Sequence, residues 1–370
     1  MPGYHDQVKQ KTTLRLRERI RGLPGFINEF FRGISDVTSV LTRIGYAYDL
    51  RVFFQFLSEE CPVFNGKPVI DFTLSDLNLV TAVQIEEFME HLDYYVRNTV
   101  LKTVILENGE NGKSRKLSSV RTMFTYFYKK RLINNNPAKL VDFPKRHIKN
   151  IIRLEVNEIA RLLDEVESGE HLTERQKKYH RYTKERDLAI ITLLLGTGMR
   201  VSECVGVDIG HIDFDINGVK VTRKGGSESI LYFSEEIEEA LKGYMARRSE
   251  IDALDPDKDA LFLSMQDRRI TVRAVEKLVK KYARLITALK RISPHKLRST
   301  YGTQLYRETG DIYLVADVLG HADVNTTRKH YAELDNNRRK DAAKYVRLRE
   351  RPDSPQPDEA DCTAALDAPQ

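Results

Sequence analysis

Ser293-Pro294-His295-Lys296-Leu297-Arg298-Ser299-Thr300, followed by Leu319-Gly320-His321 and then by Tyr331, is the stretch on which the reading of this chain turns. It sets two histidines, an arginine and a tyrosine in otherwise helical sequence punctuated by turn residues. Pro294 suits the first turn of a helix, and His295 and Arg298, three apart, share one helical face. His321 follows Gly320 at a second break. Two upstream pieces belong with them: Gly196-Thr197-Gly198-Met199-Arg200-Val201-Ser202-Glu203 and Thr222-Arg223-Lys224-Gly225-Gly226. Arg200 follows a Gly-x-Gly break directly after an apolar helix. Glycines there let the backbone turn and approach a partner closely, and the arginine falls at the start of the next helix, an end that favours anions.

Taken singly, each residue has an ordinary explanation. A lone histidine on a helix is usually structural, a lone arginine usually sits in a surface ion pair, and a lysine in a glycine-rich turn is ordinarily just exposed. Tyr331 alone reads as a core tyrosine. Together they put cationic and proton-handling groups at one element boundary after another. Phosphate chemistry calls for such a set: guanidiniums grip non-bridging oxygens in planar, bidentate fashion, and imidazoles exchange protons near neutral pH.

Outward from that stretch, the chain divides by pattern. Its 370 residues are long for one domain, and two is the expectation. Residues 1–24 form a basic N-terminal arm (Lys9, Lys11, Arg15, Arg17, Arg19, Arg21), which reads equally as a solvated first helix. Residues 25–145 read as a small all-helical domain. Val37, Val40, Leu41, Ile44, Tyr48, Val52 and Phe56 recur at helical spacing. Thr81-x-x-Gln84 is a capping box for a helix carrying Val83, Phe88, Leu92 and Tyr95. Asn108-Gly109 and Asn111-Gly112 mark a turn-rich insertion, and a later helix points Leu117, Val120, Phe124 and Phe127 inward with Lys116 and Arg121 outward. Phe53, Phe54, Tyr126 and Tyr128 could stack on bases, but such aromatics are more often core.

Residues 146–153 are a basic linker, and 154–350 a second domain. There, 155–167 is helical, 168–183 a polar, charged insertion, and 187–195 a strongly apolar helix. Alternation over 212–233, with turn signals at Asn217-Gly218 and Gly225-Gly226, makes a small antiparallel meander. Helices resume at 234–248, 271–286 and from 295 to about 345. Residues 351–370, rich in proline and acid, lack periodicity and read as disordered. The fold class expected is therefore mainly α with a small antiparallel sheet.

Charge and cysteines narrow the class. The net charge is +6, and the tail holds Asp353, Asp358, Glu359, Asp361 and Asp367 with no basic residue, so the rest is more basic still. Such a body suits a polyanion, DNA being the commonest, although a lysine-rich surface alone would give the same charge. Cys61, Cys204 and Cys362 are odd in number and form no metal-ligand spacing, which fits a reducing cytoplasm. No signal peptide and no apolar run of roughly 20 residues are seen. The expectation is a soluble, cytoplasmic protein without membrane segment, metal or cofactor.

Gly-Thr-Gly-Met-Arg200-Val-Ser-Glu203, His295-Lys-Leu-Arg298-Ser-Thr, Leu-Gly-His321 and Tyr331 resemble the signature boxes of the tyrosine recombinases, the phage-integrase and Xer family. The boxes occur in the family's order and separations. The resemblance is strong over about residues 150–348, and residues 25–145 look like the family's core-binding domain. The wording around Arg186-Asp-Leu-Ala-Ile-Ile and Val221-Thr-Arg-Lys-Gly-Gly226 is most similar to the single-recombinase, XerS-like kind. Ser299 departs from the second histidine that many relatives have after the arginine.

The resemblance implies a two-domain C-shaped clamp on double-stranded DNA with short inverted-repeat sites. It implies Tyr331 as nucleophile forming a 3′-phosphotyrosyl bond, His295 as general base, Arg200 and Arg298 as phosphate clamp, Lys224 as general acid and His321 as donor to a non-bridging oxygen. Glu203 orients the site. Lys220 and Arg223 are neighbours that could be mistaken for the acid. A homotetramer would assemble through exchange of the basic C-terminal helix, 335–351. The biological task would be Xer-like resolution of chromosome dimers, with a septal DNA translocase as possible activator, or integration and excision of a mobile element. The alternatives are a type IB topoisomerase-like activity and a non-catalytic DNA-binding protein of the same fold.

Overall fold

A computed structural model of the chain describes residues 3–98, 103–145, 147, 152–223, 225–287, 289–320 and 324. It divides into two compact units, Met1–Asn150 and Ile151–Gln370.

The first unit contains helices α1 (Tyr4–Ile20), α2 (Ile27–Gly33), α3 (Val40–Glu60), α4 (Leu74–Leu79), α5 (Ala82–His91) and α6 (Glu110–Lys129). Its centre is aromatic. Phe30, Phe53, Phe54, Phe88, Phe124 and Phe127 are fully buried, and Phe53 meets Phe88 edge-on at 5.1 Å between centroids. Each such ring contributes about 1.5–3 kcal/mol by leaving water, so Phe53 and Phe54 are core rather than base-stacking residues. Tyr128, by contrast, is half exposed. The basic start forms a helix, and α1 packs along α3 with Leu16 buried.

Three local expectations are corrected. The unit is not all-helical: α5 ends at His91, and Tyr95 lies on a two-stranded antiparallel hairpin, β1 (Tyr95–Asn98) with β2 (Thr103–Leu106). Its Val96 and Ile105, paired across the strands, are both exposed. Val37, Leu41 and Val83 are also exposed rather than core. Lys116 points inward instead of out: it is 2 % exposed and donates to Asn108 Oδ1 at 2.7 Å. The Thr81–Gln84 capping box forms as expected, with Gln84 N–H donating to Thr81 Oγ1 at 3.3 Å and Thr81 N–H to Gln84 Oε1 at 2.9 Å.

The second unit begins with α7 (Val156–Ser168), α8 (Glu174–Thr197) and the short α9 (Val201–Val205). Strands β3 (Ile212–Asp213), β4 (Gly218–Thr222) and β5 (Glu228–Tyr232) make the antiparallel meander, with Val219 opposite both Ile212 and Leu231. Then come α10 (Glu235–Ser249), α11 (Val272–Ile286), α12 (Pro294–Thr309) and α13 (Ile312–Leu319). The polar segment 168–183 is not a separate insertion. Thr173 and Gln176 form a capping box, and from there α8 runs 24 residues into the apolar stretch. Its second half is the unit's axis, buried from Ala189 to Leu195 and packed against α7, α10 and α12.

Asp187, 1 % exposed, ties α8 to α11. Arg186 Nη2 reaches its Oδ1 at 2.7 Å, while Lys281 Nζ and Tyr282 Oη reach Oδ2 at 3.2 and 3.1 Å. Burial lowers the Lys281 pKa, with Asp187 pulling the other way. Burial, reinforced by the same carboxylate, pushes the Tyr282 phenol far up. The start of the unit is fixed to α12: Leu154 N–H donates to Thr300 Oγ1 at 3.0 Å, and Glu155 pairs with Arg307 at 3.1 Å. Within the helical stretch expected from 295, α12 and α13 are separated at Gly310, whose φ of 70° takes the left-handed conformation. The basic helix expected at 335–351 and the tail 351–370 lie outside the described residues.

Candidate active site

The apolar half of α8 is stopped by Gly198, φ 61°. A Cβ there would stand 2.4 Å from the Tyr301 ring and 2.9 Å from Leu319, so both the conformation and the close approach call for glycine. The turn delivers Arg200 to the start of α9. Glu203, nearly fully buried, receives the Arg200 backbone N–H on Oε2 and its guanidinium on Oε1, each at 2.7 Å. One carboxylate thus caps the helix and holds the Arg200 side chain.

Helix α13 ends at Gly320, φ 59°. A helix end leaves carbonyls without intrahelical partners and carries partial negative charge. Here three guanidiniums take them up. Arg223 Nη2 donates to Val318 O at 2.9 Å. Leu319 O accepts from Arg298 Nη2 and, at 3.5 Å, from Arg223 Nη1. Arg200 Nη2 donates to Gly320 O at 3.0 Å. Arg298 also donates to Gly198 O at 2.6 Å, bridging the two glycine breaks. Arg223 Nη1 lies 3.7 Å from Glu203 Oε2. Three formal positive charges therefore meet one carboxylate and a set of carbonyl dipoles, and the corner remains cationic. Arg298 is buried and Arg223 largely so, whereas the Arg200 side chain is 31 % exposed and faces solvent.

Arg200, Glu203 and Arg298 are thus brought together from α9 and α12. His295 lies in the first turn of α12, one turn before Arg298, with its side chain exposed. Its carbonyl accepts from the Ser299 hydroxyl at 3.0 Å, which gives that departure a local structural role. Lys224, His321 and Tyr331 lie outside the described residues. The main chain on either side of Lys224 is closed by Arg223 N–H to Ser227 O at 2.7 Å and Gly226 N–H to Arg223 O at 3.0 Å. Gly225 and Gly226, at φ 105° and 92°, supply the turn.

Both neighbours of Lys224 are engaged by other groups. Lys220 is paired with Glu228 at 2.9 Å on the exposed face of the meander, and Arg223 is committed to α13. Arg223 is the residue that sequence reasoning undervalued. Tyr301 is a second addition, a phenol packed on the Gly198 turn whose pKa burial raises, the wrong direction for a nucleophile. Among the described residues, no helix is long and apolar enough to cross a membrane. No group of three or more His, Cys, Asp or Glu side chains there could hold a metal ion.

Comparison with known proteins bears on the family. Residues 152–338 match the family model described as the phage integrase family. The chain is 32% identical over 327 residues to tyrosine recombinase XerC of Caldanaerobacter subterraneus subsp. tengcongensis, covering 86% of each. It is 29% identical over 258 residues to tyrosine recombinase XerD of Staphylococcus haemolyticus, covering 68% of this chain and 83% of that one. Among solved structures, XerH site-specific recombinase bound to difH substrate superposes with a TM-score of 0.58 at 22% identity, over 82% of this chain and 79% of that one. Tn1549 transposon integrase in complex with circular intermediate DNA gives 0.57 at 18% identity, over 86% and 94%.

This chain belongs to the phage integrase family. It is a tyrosine site-specific recombinase, related over most of its length to the Xer recombinases, and these comparisons favour recombination over the topoisomerase-like and non-catalytic alternatives.

Proposed function

We propose that this enzyme binds double-stranded DNA and exchanges strands through Tyr331, with the cationic corner at the end of α13 as its phosphate seat. The observation that carries the reading is the convergence of Arg200 and Arg298 on the carbonyls immediately preceding His321, with Glu203 fixing Arg200 from behind. A phenol of ordinary pKa, about 10, needs activation. His295 takes the Tyr331 proton as the phenolate oxygen attacks phosphorus. The bond from phosphorus to the 5′-oxygen breaks, and Lys224 gives that oxygen its proton. The product is a 3′-phosphotyrosyl ester and a free 5′-hydroxyl, and attack by a new 5′-hydroxyl reverses the step without ATP. Arg200, Arg298 and His321 stabilise the charge that grows on the non-bridging oxygens, where fixed donors act most strongly.

Breaking and rejoining two duplexes takes four such centres, hence a homotetramer on paired inverted-repeat sites, assembled by exchange of the C-terminal helix 335–351. The biological task is Xer-like resolution of chromosome dimers in the cytoplasm, with a septal DNA translocase as the activator to test, or integration and excision of a mobile element. On a nicked suicide substrate the wild-type protein should accumulate a covalent protein–DNA adduct. Tyr331→Phe should bind the same DNA and form none; an adduct from that variant would remove Tyr331 from the role.

A further inference from the structure

We infer that Arg223 is a positioning residue that moors the turn carrying Lys224 to the end of α13, so that the general acid and the phosphate seat move as one body. Its main chain closes the turn on both sides of Lys224, donating to Ser227 O at 2.7 Å and accepting from Gly226 N–H at 3.0 Å. Its side chain, 10 % exposed, crosses to another element, donating to Val318 O at 2.9 Å and lying 3.7 Å from Glu203. Gly320 makes room for it: a Cβ there would stand 3.1 Å from the Arg223 guanidinium carbon. The tip beyond offers little stiffness of its own, because Gly225 and Gly226 both take left-handed backbone angles open to few other residues. Without the guanidinium, the hairpin would be held at its base, by pairing of β4 with β3 and β5 and by the buried Val219 and Val221, which leaves its tip free to swing relative to α13.

A lysine in this position has a demanding task, since a proton must arrive as the 5′-oxygen leaves. Displacing a catalytic group by about 1 Å can cost roughly 100-fold in rate. Arg223 touches neither substrate nor reacting atoms in this account; it acts through Lys224. The inference rests on Lys224 being the general acid, and the test separates the two ideas.

Single-turnover cleavage is measured on two suicide substrates, one with the natural 5′-oxygen at the scissile bond and one with bridging sulfur there. A thiolate leaves without needing a proton, so the sulfur substrate reports the rest of the site and ignores the acid. Arg223→Gln and Arg223→Lys are compared with Lys224→Ala, with DNA binding and melting temperature recorded for each. Arg223→Gln should slow the oxygen substrate by roughly 10- to 100-fold, up to the lower end of what a general acid contributes, and slow the sulfur substrate much less, by the loss of one of the corner's three charges alone. Arg223→Lys keeps charge without the two-pronged grip and should show the same pattern more weakly; it carries the test if Arg223→Gln does not fold. Equal slowing on both substrates, or no slowing, would overturn the role assigned to Arg223. Failure of sulfur to rescue Lys224→Ala would instead remove Lys224 as the acid, and the Arg223 proposal with it.

Discussion

Around Asp187, Arg186, Lys281, Tyr282 and Thr183 all send donors to one carboxylate, and two formal cations face one anion. Around Glu203 the bookkeeping differs. Arg200 gives that carboxylate part of its guanidinium, Arg223 stands 3.7 Å off, and Arg298 turns to the Gly198 and Leu319 carbonyls. Both centres are buried carboxylates ringed by cations in the same unit, yet only one keeps its charge in reserve. Carbonyls hold a guanidinium in place without neutralising it, and a guanidinium so held can still meet an anion from outside. The Asp187 centre is closed on itself and ties two helices; the Glu203 centre is an open cationic corner whose Arg200 reaches solvent.

That contrast can be broken most easily at Arg298. Arg298→Ala should lower single-turnover adduct formation on a suicide substrate by roughly 100- to 1,000-fold, the usual cost of deleting one preorganised donor to a transition-state oxyanion. DNA binding in a gel-shift assay should change far less, because phosphate contacts elsewhere dominate affinity. A cleavage rate near wild type would mean that the corner is as purely structural as the Asp187 centre.

Asp187→Asn asks the reverse question. Removing the charge leaves Arg186 and Lys281, both partly buried, without their anion, which should cost up to about 3 kcal/mol of stability in urea unfolding. The cleavage rate per folded molecule should be unchanged, and a specific loss of cleavage would erase the distinction between the two centres.

A third measurement calibrates both against an exposed pair. Glu155 is held below its ordinary pKa of 4.5 first by the hydrogen bond from Arg307, against a smaller effect of burial. The folded protein therefore binds fewer protons than the unfolded chain near that pH. The contribution is present above pH 4.5 and lost as pH falls through the lower folded value. Glu155→Gln should shift the urea midpoint slightly at pH 7, by about half a kcal/mol or less, and the difference from wild type should vanish in acid. A difference that persisted there would show that packing, not charge, is what Gln disturbs.

What the sequence revealed of these centres follows from how local each signal is. Glu203 three residues after Arg200, behind Gly198, is a helix-start pattern readable from a few positions, and the structure uses it that way. Arg298 was legible because a helical period of three set it beside His295. Arg223 carried no such mark: its partners, Val318 and Leu319, are almost a hundred positions away and offer only backbone oxygen. Lys116 was assigned outward on charge alone, whereas Asn108 and the nearby buried Asp49 make the interior hospitable to it. The β1–β2 hairpin stayed hidden because Val96 and Ile105 face solvent, so no core-facing alternation announced it. At Thr173 the signal was present, the same Thr-x-x-Gln pattern read correctly at Thr81. The charged residues after it suggested a loop where they line the outer half of a long helix.

Gly320 is the last of the described residues whose carbonyl the guanidiniums hold, and Tyr331 follows eleven positions later in the sequence. A chain spans at most about 3.3–3.6 Å per residue, so that leash is no longer than roughly 40 Å. On the function proposed above, Tyr331 serves a corner inside this radius, its own subunit's or a neighbour's. Shortening the leash by a few residues would be a direct way to ask which of the two it visits.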